Sequence, residues 1–111
     1  MAYTKRLNYE AIRSIDSATF TGSYQALGTA TTNPSAIVKI VNNSNKDVTV
    51  SINGTSDHDF VPTGGFTLYD CTANLPHGTD AIFLPSGTQF YVKGSAGTGL
   101  VYLVVLYIIQ V

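Results

Sequence analysis

The sequence has one cysteine, no tryptophan and few charged residues. A single cysteine, Cys71, excludes an internal disulfide, so the sequence predicts a fold that depends on its core and is made in a reducing compartment. Charged residues make up 12% of the chain, about half of the usual fraction of roughly 25%. Six Lys and Arg against seven Asp and Glu provide no basic stripe. Composition therefore argues against nucleic acid as a partner.

The chain also lacks a long apolar run. Its most apolar segment, Leu100 to Val111, has 12 residues, whereas a membrane-spanning helix needs about 20. We therefore expect no membrane partner. Apolar residues make up 44% of the chain and the net charge is -1, a composition that favours a folded chain over a disordered one. A chain of 111 residues has room for one core, so we expect one domain.

Short β-branched and aromatic runs separated by Gly, Pro, Asn and Ser predict an all-β protein. The predicted strands are Ala11–Ser14, Ala18–Ala26, Ser35–Asn42, Asp47–Asn53, His58–Val61, Gly65–Asp70, Ala81–Leu84, Thr88–Lys93 and Leu100–Val111. His58–Val61 is brief and optional, so the tally is about eight strands, which predicts an antiparallel β-sandwich and favours a jelly roll over an immunoglobulin-like fold.

Two tight reversals predict β-hairpins. Polar residues 43–46 join Ser35–Asn42 to Asp47–Asn53, and residues of this kind tolerate turn conformations. In the second arm, alternation predicts that Val48, Val50 and Ile52 share one face. Pro85–Gly87 is the second reversal, between Ala81–Leu84 and Thr88–Lys93.

The first eight residues show no clear periodicity and are predicted to form an extended arm of low intrinsic order, with the domain at 9–111. Half of the six cations fall within the first 13 residues. An arm with such residues can reach a neighbouring protein, although a solvated terminus is the simpler alternative. The candidate contact residues are Tyr3, Lys5, Arg6, Tyr9 and Arg13.

The last segment is apolar without period-2 polarity, which is typical of a central strand covered on both faces or of a strand that faces another subunit. Leu103, Val105 and Tyr107 share one face, and Tyr102, Val104 and Leu106 share the other. One of these faces must be core, and the sequence leaves open which one. We name Leu103, Val105 and Tyr107 as the candidates for self-association.

The sequence contains four groupings that invite a chemical role, and none is specific. On a strand, Asp57 and Asp59 point away from His58, so the triplet favours a polar loop over a metal site. Cys71 with His77, oriented by Asp70 or Asp80, has no nucleophile motif around it, and Cys71 is expected to be a buried residue at a strand end. The glycines at 94–99 lack the lysine of a phosphate loop and predict a turn.

The fourth grouping is a set of acids, Asp16, Asp70 and Asp80, and no pattern brings them together as a glycosidase pair. The aromatic residues on apolar-patterned strands are predicted to lie in the core. The alternative is that they form a carbohydrate-binding face, because aromatic rings stack on sugars. These residues are Phe20, Tyr24, Phe66, Phe90 and Tyr102. We therefore expect no catalytic residue, no metal, no cofactor and no small-molecule substrate.

Two stretches resemble a known family. They are AIVKIVNNSNKDVTVSINGTSDHDFVPTGGFTLYD (36–70) and AIFLPSGTQFYVKGSAGTGLVYLVVLY (81–107). The order of an Asn-rich turn, a PTGGF reversal, LPSGTQFYVKG and a final apolar strand is similar to that of small β-sandwich proteins of tailed bacteriophage particles. Within these, the chain resembles the capsid staple, or cement, proteins of epsilon-fifteen-like short-tailed phages.

The resemblance implies a jelly-roll body on the outer surface of a phage head, made in the host cytoplasm. It implies that the chain binds the major capsid protein without covalent chemistry and associates with itself, as a homodimer or a trimer. A tail, spike or fibre module needs the same kind of stable β-domain, so the sequence leaves that location open.

Overall fold

A computed structural model describes residues 5–72 and 83–110 of the chain, and these residues form β-strands and one 3-10 turn, Ser17–Thr19. The strands are β1 (Lys5–Tyr9), β2 (Arg13–Asp16), β3 (Gln25–Ala26), β4 (Ser35–Ser44), β5 (Val48–Ser51), β6 (Asp59–Val61), β7 (Phe66–Asp70), β8 (Tyr91–Lys93) and β9 (Gly99–Gln110).

The strands form two antiparallel sheets. In sheet A, β9 pairs on one side with β1 and β2 and on the other with β4, which in turn pairs with β7. Sheet B has the order β3-β8-β5-β6. The strands from β2 to β9 thus fill two four-stranded layers in the order of a jelly roll. The predicted antiparallel β-sandwich is confirmed.

Alternate residues of the two sheets build the core between them. In sheet A, Val101, Leu103 and Val105 of β9 are fully buried. Sheet B contributes Val48 and Val50 of β5 from the opposite side. Because side chains alternate along a strand, each sheet presents one buried face and one outer face.

The first predicted hairpin is wrong. β4 and β5 do not pair with each other, because β4 lies in sheet A and β5 in sheet B. Residues 45–47 carry the chain across the sandwich between them. A short polar link is compatible with both a hairpin and a crossing. In the crossing, the apolar faces of the two strands meet across the core. Ile52 leaves the predicted face and is 52% exposed, because β5 ends at Ser51.

Other predicted strands are shorter or paired differently. Of Ala18–Ala26, only Gln25–Ala26 is a strand, since Ser17–Thr19 forms the 3-10 turn. In the second predicted hairpin, residues 81–82 lie outside the described residues, Leu84 bridges to Ser35, and β8 pairs with β3 and β5. The PTGG reversal is present, with Gly64 at a φ of +72°, a conformation that favours glycine.

Asn42 fastens the crossing between the two sheets. Its side chain is completely buried, and its Nδ2 donates to the carbonyl oxygens of Lys46 (2.7 Å) and Val61 (3.1 Å). Its Oδ1 accepts from the amide (3.1 Å) and the hydroxyl (2.6 Å) of Ser44. The backbone of Asn42 also bonds to Gly64 and Gly65 of the reversal before β7. One residue thus connects the end of β4, the crossing and the end of β6.

Replacing Asn42 by Ala tests this connection. Asn42→Ala leaves buried carbonyl groups with fewer donors, so we expect a loss of about 2–4 kcal/mol in the free energy of unfolding. Asn43→Ala is the matched control, because Asn43 is exposed on the same strand. Urea denaturation measures both variants. Equal stability of the two variants would contradict the role of Asn42.

Candidate interaction surfaces

β9 is longer than the sandwich, and its end forms a ribbon with β1. We use "ribbon" for β1 together with residues 107–110 of β9. β4 begins at Ser35, opposite Tyr107, so among the described strands residues 108–110 pair with β1 alone. The molecule accordingly measures 51 × 24 × 21 Å along its principal axes. The described part of the predicted arm is therefore a strand and not a loose segment, because β9 supplies its backbone partners.

The ribbon presents exposed side chains. Leu7 is 46% exposed and Tyr9 is 66% exposed, and Arg6 is also exposed. Leu7 and Tyr9 share one face of the strand, and Arg6 and Asn8 share the other. On that second face, the Nδ2 of Asn8 donates to the hydroxyl of Tyr107 (3.3 Å). Of the predicted contact residues, Arg6 and Tyr9 thus lie on one projecting element. Lys5 belongs to the same strand, and Tyr3 lies outside the described residues.

Arg13 has an internal role instead. Its Nη2 forms an ion pair with Glu10 Oε1 at 2.8 Å, and the two side chains are only 10% and 5% exposed. Its guanidinium also donates to the Thr29 hydroxyl (3.2 Å) and the Ala30 carbonyl (3.1 Å). Little of the side chain remains to contact a neighbour. Arg13 holds the segment between β1 and β2 against the loop before β4.

Glu10 completes this fastening. Its carboxylate accepts bonds from the amides of Thr32 and Asn33 and from the side-chain amide of Asn33. Burial raises the pKa of Glu10, but the bonds from Arg13 and these amides outweigh it and lower the pKa to about 2. Gly28 leaves room for the arginine: a Cβ there would lie 2.5 Å from the Arg13 Cβ.

The outer face of sheet A is open and apolar. We use "open face" for the outward residues of β7, β4 and β9. In strand order they are Phe66, Leu68 and Asp70, then Ile37, Lys39 and Val41, then Tyr102, Val104 and Leu106. Phe66 is 64% exposed and Leu68 is 52% exposed, and the residues of β4 and β9 are partly exposed. A depression of about 290 Å³ lies among Lys39, Val41, Gly64, Gly65 and Phe66.

The structure corrects the self-association prediction. Leu103 and Val105 are fully buried in the core, so neither can reach a second chain. Tyr107 lies in the ribbon, where Asn8 bonds to its hydroxyl. The face that sequence left as the alternative, with Tyr102, Val104 and Leu106, is the outward one. The predicted core position of Phe66 is also wrong, whereas Phe20 and Phe90 are buried as predicted and Tyr24 and Tyr102 are partly buried.

Sheet B has a more polar outer face. The Lys93 Nζ lies 3.0 Å from Asp57 Oδ1 and 4.7 Å from the centre of the Tyr24 ring. The Tyr24 hydroxyl donates to the same carboxylate at 2.5 Å. Burial, followed by the bond to Asp57, raises the pKa of Tyr24 to about 12. The bond from Tyr24 and that from Lys93 lower the pKa of Asp57.

The Asp57-His58-Asp59 triplet does not converge. Asp57 contacts Tyr24 and Lys93, His58 Nδ1 accepts from the Ile52 amide (3.1 Å), and Asp59 accepts from the hydroxyls of Tyr69 and Thr67. The bond from Tyr69 lowers the pKa of Asp59. Within residues 5–72 and 83–110, no three His, Cys, Asp or Glu side chains lie together in a way that could hold a metal ion.

Cys71 borders a small apolar cavity at one end of the sandwich. The cavity has a volume of about 190 Å³ and is lined by Val50, Ile52, His58, Asp59, Tyr69, Cys71, Leu84 and Phe90. Burial, followed by the bond to Asp59, raises the pKa of Tyr69. Cys71 is partly exposed rather than buried as predicted. His77 and Asp80, its predicted partners, lie outside the described residues.

Sequence reasoning missed Phe66, Leu68 and Lys39 as surface residues. The sequence of β7 separates two faces, with Phe66, Leu68 and Asp70 on one and Thr67 and Tyr69 on the other, and the first set is the exposed one. Sequence alternation identifies two faces, but it does not tell which face is outward when both contain apolar residues. The register between β4 and β7 was needed to place Lys39 beside Leu68.

No protein-family model and no curated protein matches the sequence. Among solved structures, the chain is similar to the Dit (gp 19.1) protein of phage SPP1, described as a paradigm of the hub adsorption apparatus in phages that infect Gram-positive bacteria. The TM-score is 0.41 at 13% identity, over 94% of this chain and 49% of that chain. The chain thus spans about half of that protein's length, and at this similarity no function is transferred.

No helix among residues 5–72 and 83–110 is long and apolar enough to span a membrane. This finding agrees with the strand assignment, in which a single 3-10 turn is the one helical element of the described chain.

The ion pair of Glu10 predicts a pH dependence of stability. The folded pKa of about 2 lies below the ordinary value of 4.5, so Glu10 stabilises the fold above pH 4.5 and loses this contribution as the pH falls through about 2. The shift corresponds to about 3 kcal/mol. We expect Glu10→Gln to be less stable than the wild type at pH 6.

Urea denaturation at pH 6 and at pH 2 measures this contribution. The other carboxylates titrate in both proteins, so the difference between wild type and Glu10→Gln isolates Glu10. We expect that difference to be large at pH 6 and to shrink at pH 2. A difference that stays constant over this range would show that the ionised carboxylate is not what holds the loop.

Proposed function

We propose that this chain is a non-enzymatic structural protein of a phage virion, which decorates the outside of the capsid and binds neighbouring major capsid protein subunits without covalent chemistry. The sequence resemblance described above supports a virion role, and the projecting ribbon is the observation that supports attachment. The same proposal assigns the chain no cofactor, no metal and no small-molecule substrate.

The ribbon has the properties of an attachment element. Leu7 extends apolar surface beyond the sandwich, and Tyr9, which pairs with Leu106, continues this surface to the edge of the sandwich. Exposed apolar residues on such an element cost solubility unless a neighbour covers them. Tyrosine is a common anchor at interfaces, since its ring buries a large area and its hydroxyl finds a partner. The exposed Arg6 adds a cation on the opposite face of the same strand.

The base of the ribbon is fixed. The Glu10–Arg13 ion pair and the amides of Thr32 and Asn33 hold the chain where β1 gives way to β2. A fixed base limits the entropy that the ribbon loses on binding. Many equivalent copies on a symmetric shell then turn modest contacts into high overall affinity.

The polar side chains of the outer face of sheet B bind each other, which supports a structural role over sugar binding. Lys93 covers the Tyr24 ring, and Asp57 is engaged by both residues. A sugar would have to displace these contacts to stack on that ring. The carbohydrate-binding alternative therefore has no open aromatic platform at this position.

Binding to separated virion parts tests the proposal. Heads and tails are prepared from the encoding phage with the gene for this chain disrupted, and purified protein is added before sedimentation. We expect the wild type to bind heads. Leu7→Ser with Tyr9→Ser removes two exposed anchors, so we expect at least about tenfold weaker binding, equivalent to about 1.4 kcal/mol.

Phe60→Ser is the matched control, since Phe60 is 55% exposed on the outer face of sheet B. We expect it to bind like the wild type, and circular dichroism checks that each variant is folded. Binding to tails alone would overturn the capsid location. Binding to neither part would overturn the virion role, and equal loss in both variants would overturn the ribbon as the contact.

A further inference from the structure

We propose that a second copy of this chain packs against the open face of sheet A, with the two copies related by a two-fold axis. This inference concerns the free protein and does not depend on the virion role. It is carried by the apolar character of the face and by its charges.

The open face resembles the interior of a protein more than its surface. Seven of its nine members are apolar or aromatic, and Phe66 and Leu68 are more than half exposed. Monomeric proteins rarely expose a contiguous apolar patch of this kind, whereas homodimer interfaces are enriched in apolar area. In sheet B, by contrast, the Tyr24, Asp57 and Lys93 side chains pair on the outer face.

The two charges of the open face fit a second copy. Lys39 lies in the middle of the face and forms no ion pair with any described residue. Asp70 lies on the neighbouring strand, one diagonal step away, since Lys39 pairs with Leu68 and Ile37 pairs with Asp70. The amide and hydroxyl of Thr72 bond to Asp70 Oδ1 at 2.8 and 2.5 Å and lower its pKa, which keeps the carboxylate charged.

A two-fold axis relates these charges. Diagonal neighbours in a sheet lie about 7–8 Å apart. An axis in the plane of the interface, midway between Lys39 and Asp70 and perpendicular to the line that joins them, places each lysine opposite the other copy's aspartate. Packed sheets lie about 10 Å apart, a gap that a lysine side chain largely crosses. Two equivalent ion pairs then form, and such an interface is self-complementary.

Sedimentation velocity over a concentration series tests the dimer with the full chain. We expect the wild type to reach twice the 11.8 kDa mass of one chain. In Lys39→Asp, two carboxylates face each other at both contacts, and in Asp70→Lys two ammonium groups do. Each variant alone should dissociate at least about tenfold more readily than the wild type.

Mixing the two variants provides the decisive arm of the test. In the mixed pair, one contact has the charges exchanged and the other keeps the native pair, so we expect a heterodimer to return. Phe66→Ser should also weaken the dimer, and Phe60→Ser, an equally conservative loss from sheet B, should not. Neither phenylalanine is buried, so these two variants stay informative even if Asp70→Lys fails to fold.

A wild type that remains monomeric at every concentration would overturn the inference, and so would a trimer. A dimer that Phe66→Ser and Phe60→Ser affect equally would place the contact elsewhere. Absence of a heterodimer from folded Lys39→Asp and Asp70→Lys would overturn the proposed charge contact. None of these outcomes depends on phage particles, so failure here is distinguishable from failure of the capsid proposal.

Discussion

The length of β9 is the constraint on which the other features depend. With twelve residues, β9 is longer than the sandwich, so β4 and sheet B cover only residues 99–107 of it. Within the sandwich, Val101, Leu103 and Val105 fill the core, and the residues between them face outward. Beyond the sandwich, the strand needs another partner for its backbone groups, and β1 provides it. The ribbon follows from the length of this one strand, and its outward residues form one edge of the open face.

Polar fastenings lie where the chain leaves the regular sheets. Asn42 holds the crossing from sheet A to sheet B, and Glu10 with Arg13 holds the base of the ribbon. In both places buried polar groups have their hydrogen-bond partners, which is required of polar groups removed from water. Apolar packing stabilises the sandwich but is not directional, whereas these hydrogen bonds are directional and fix where the chain turns. A domain fixed in this way can expose apolar surface on one side without losing its fold.

Much of the fold could be predicted from the sequence, because the spacing of β-branched runs and turn residues carries the strand count and the antiparallel sandwich. The pairing of β4 with β5 could not, since a short polar link is compatible with both a hairpin and a crossing. Alternation separated the two faces of β9, but it did not show which face is buried, because both Leu103 and Val104 are apolar. Arg13 was predicted from its charge to face a neighbour, and only the loop at 29–33 shows why it turns inward.

The central proposal is that a second copy of this chain covers the open face of sheet A in solution. Hydroxyl-radical footprinting of dilute and concentrated protein, read by mass spectrometry, reports the exposure of individual side chains. The account predicts that concentration protects Phe66, Leu68 and Tyr102, whereas Phe60 of sheet B stays as reactive as before. Equal reactivity of Phe66 and Phe60 at every concentration would contradict it.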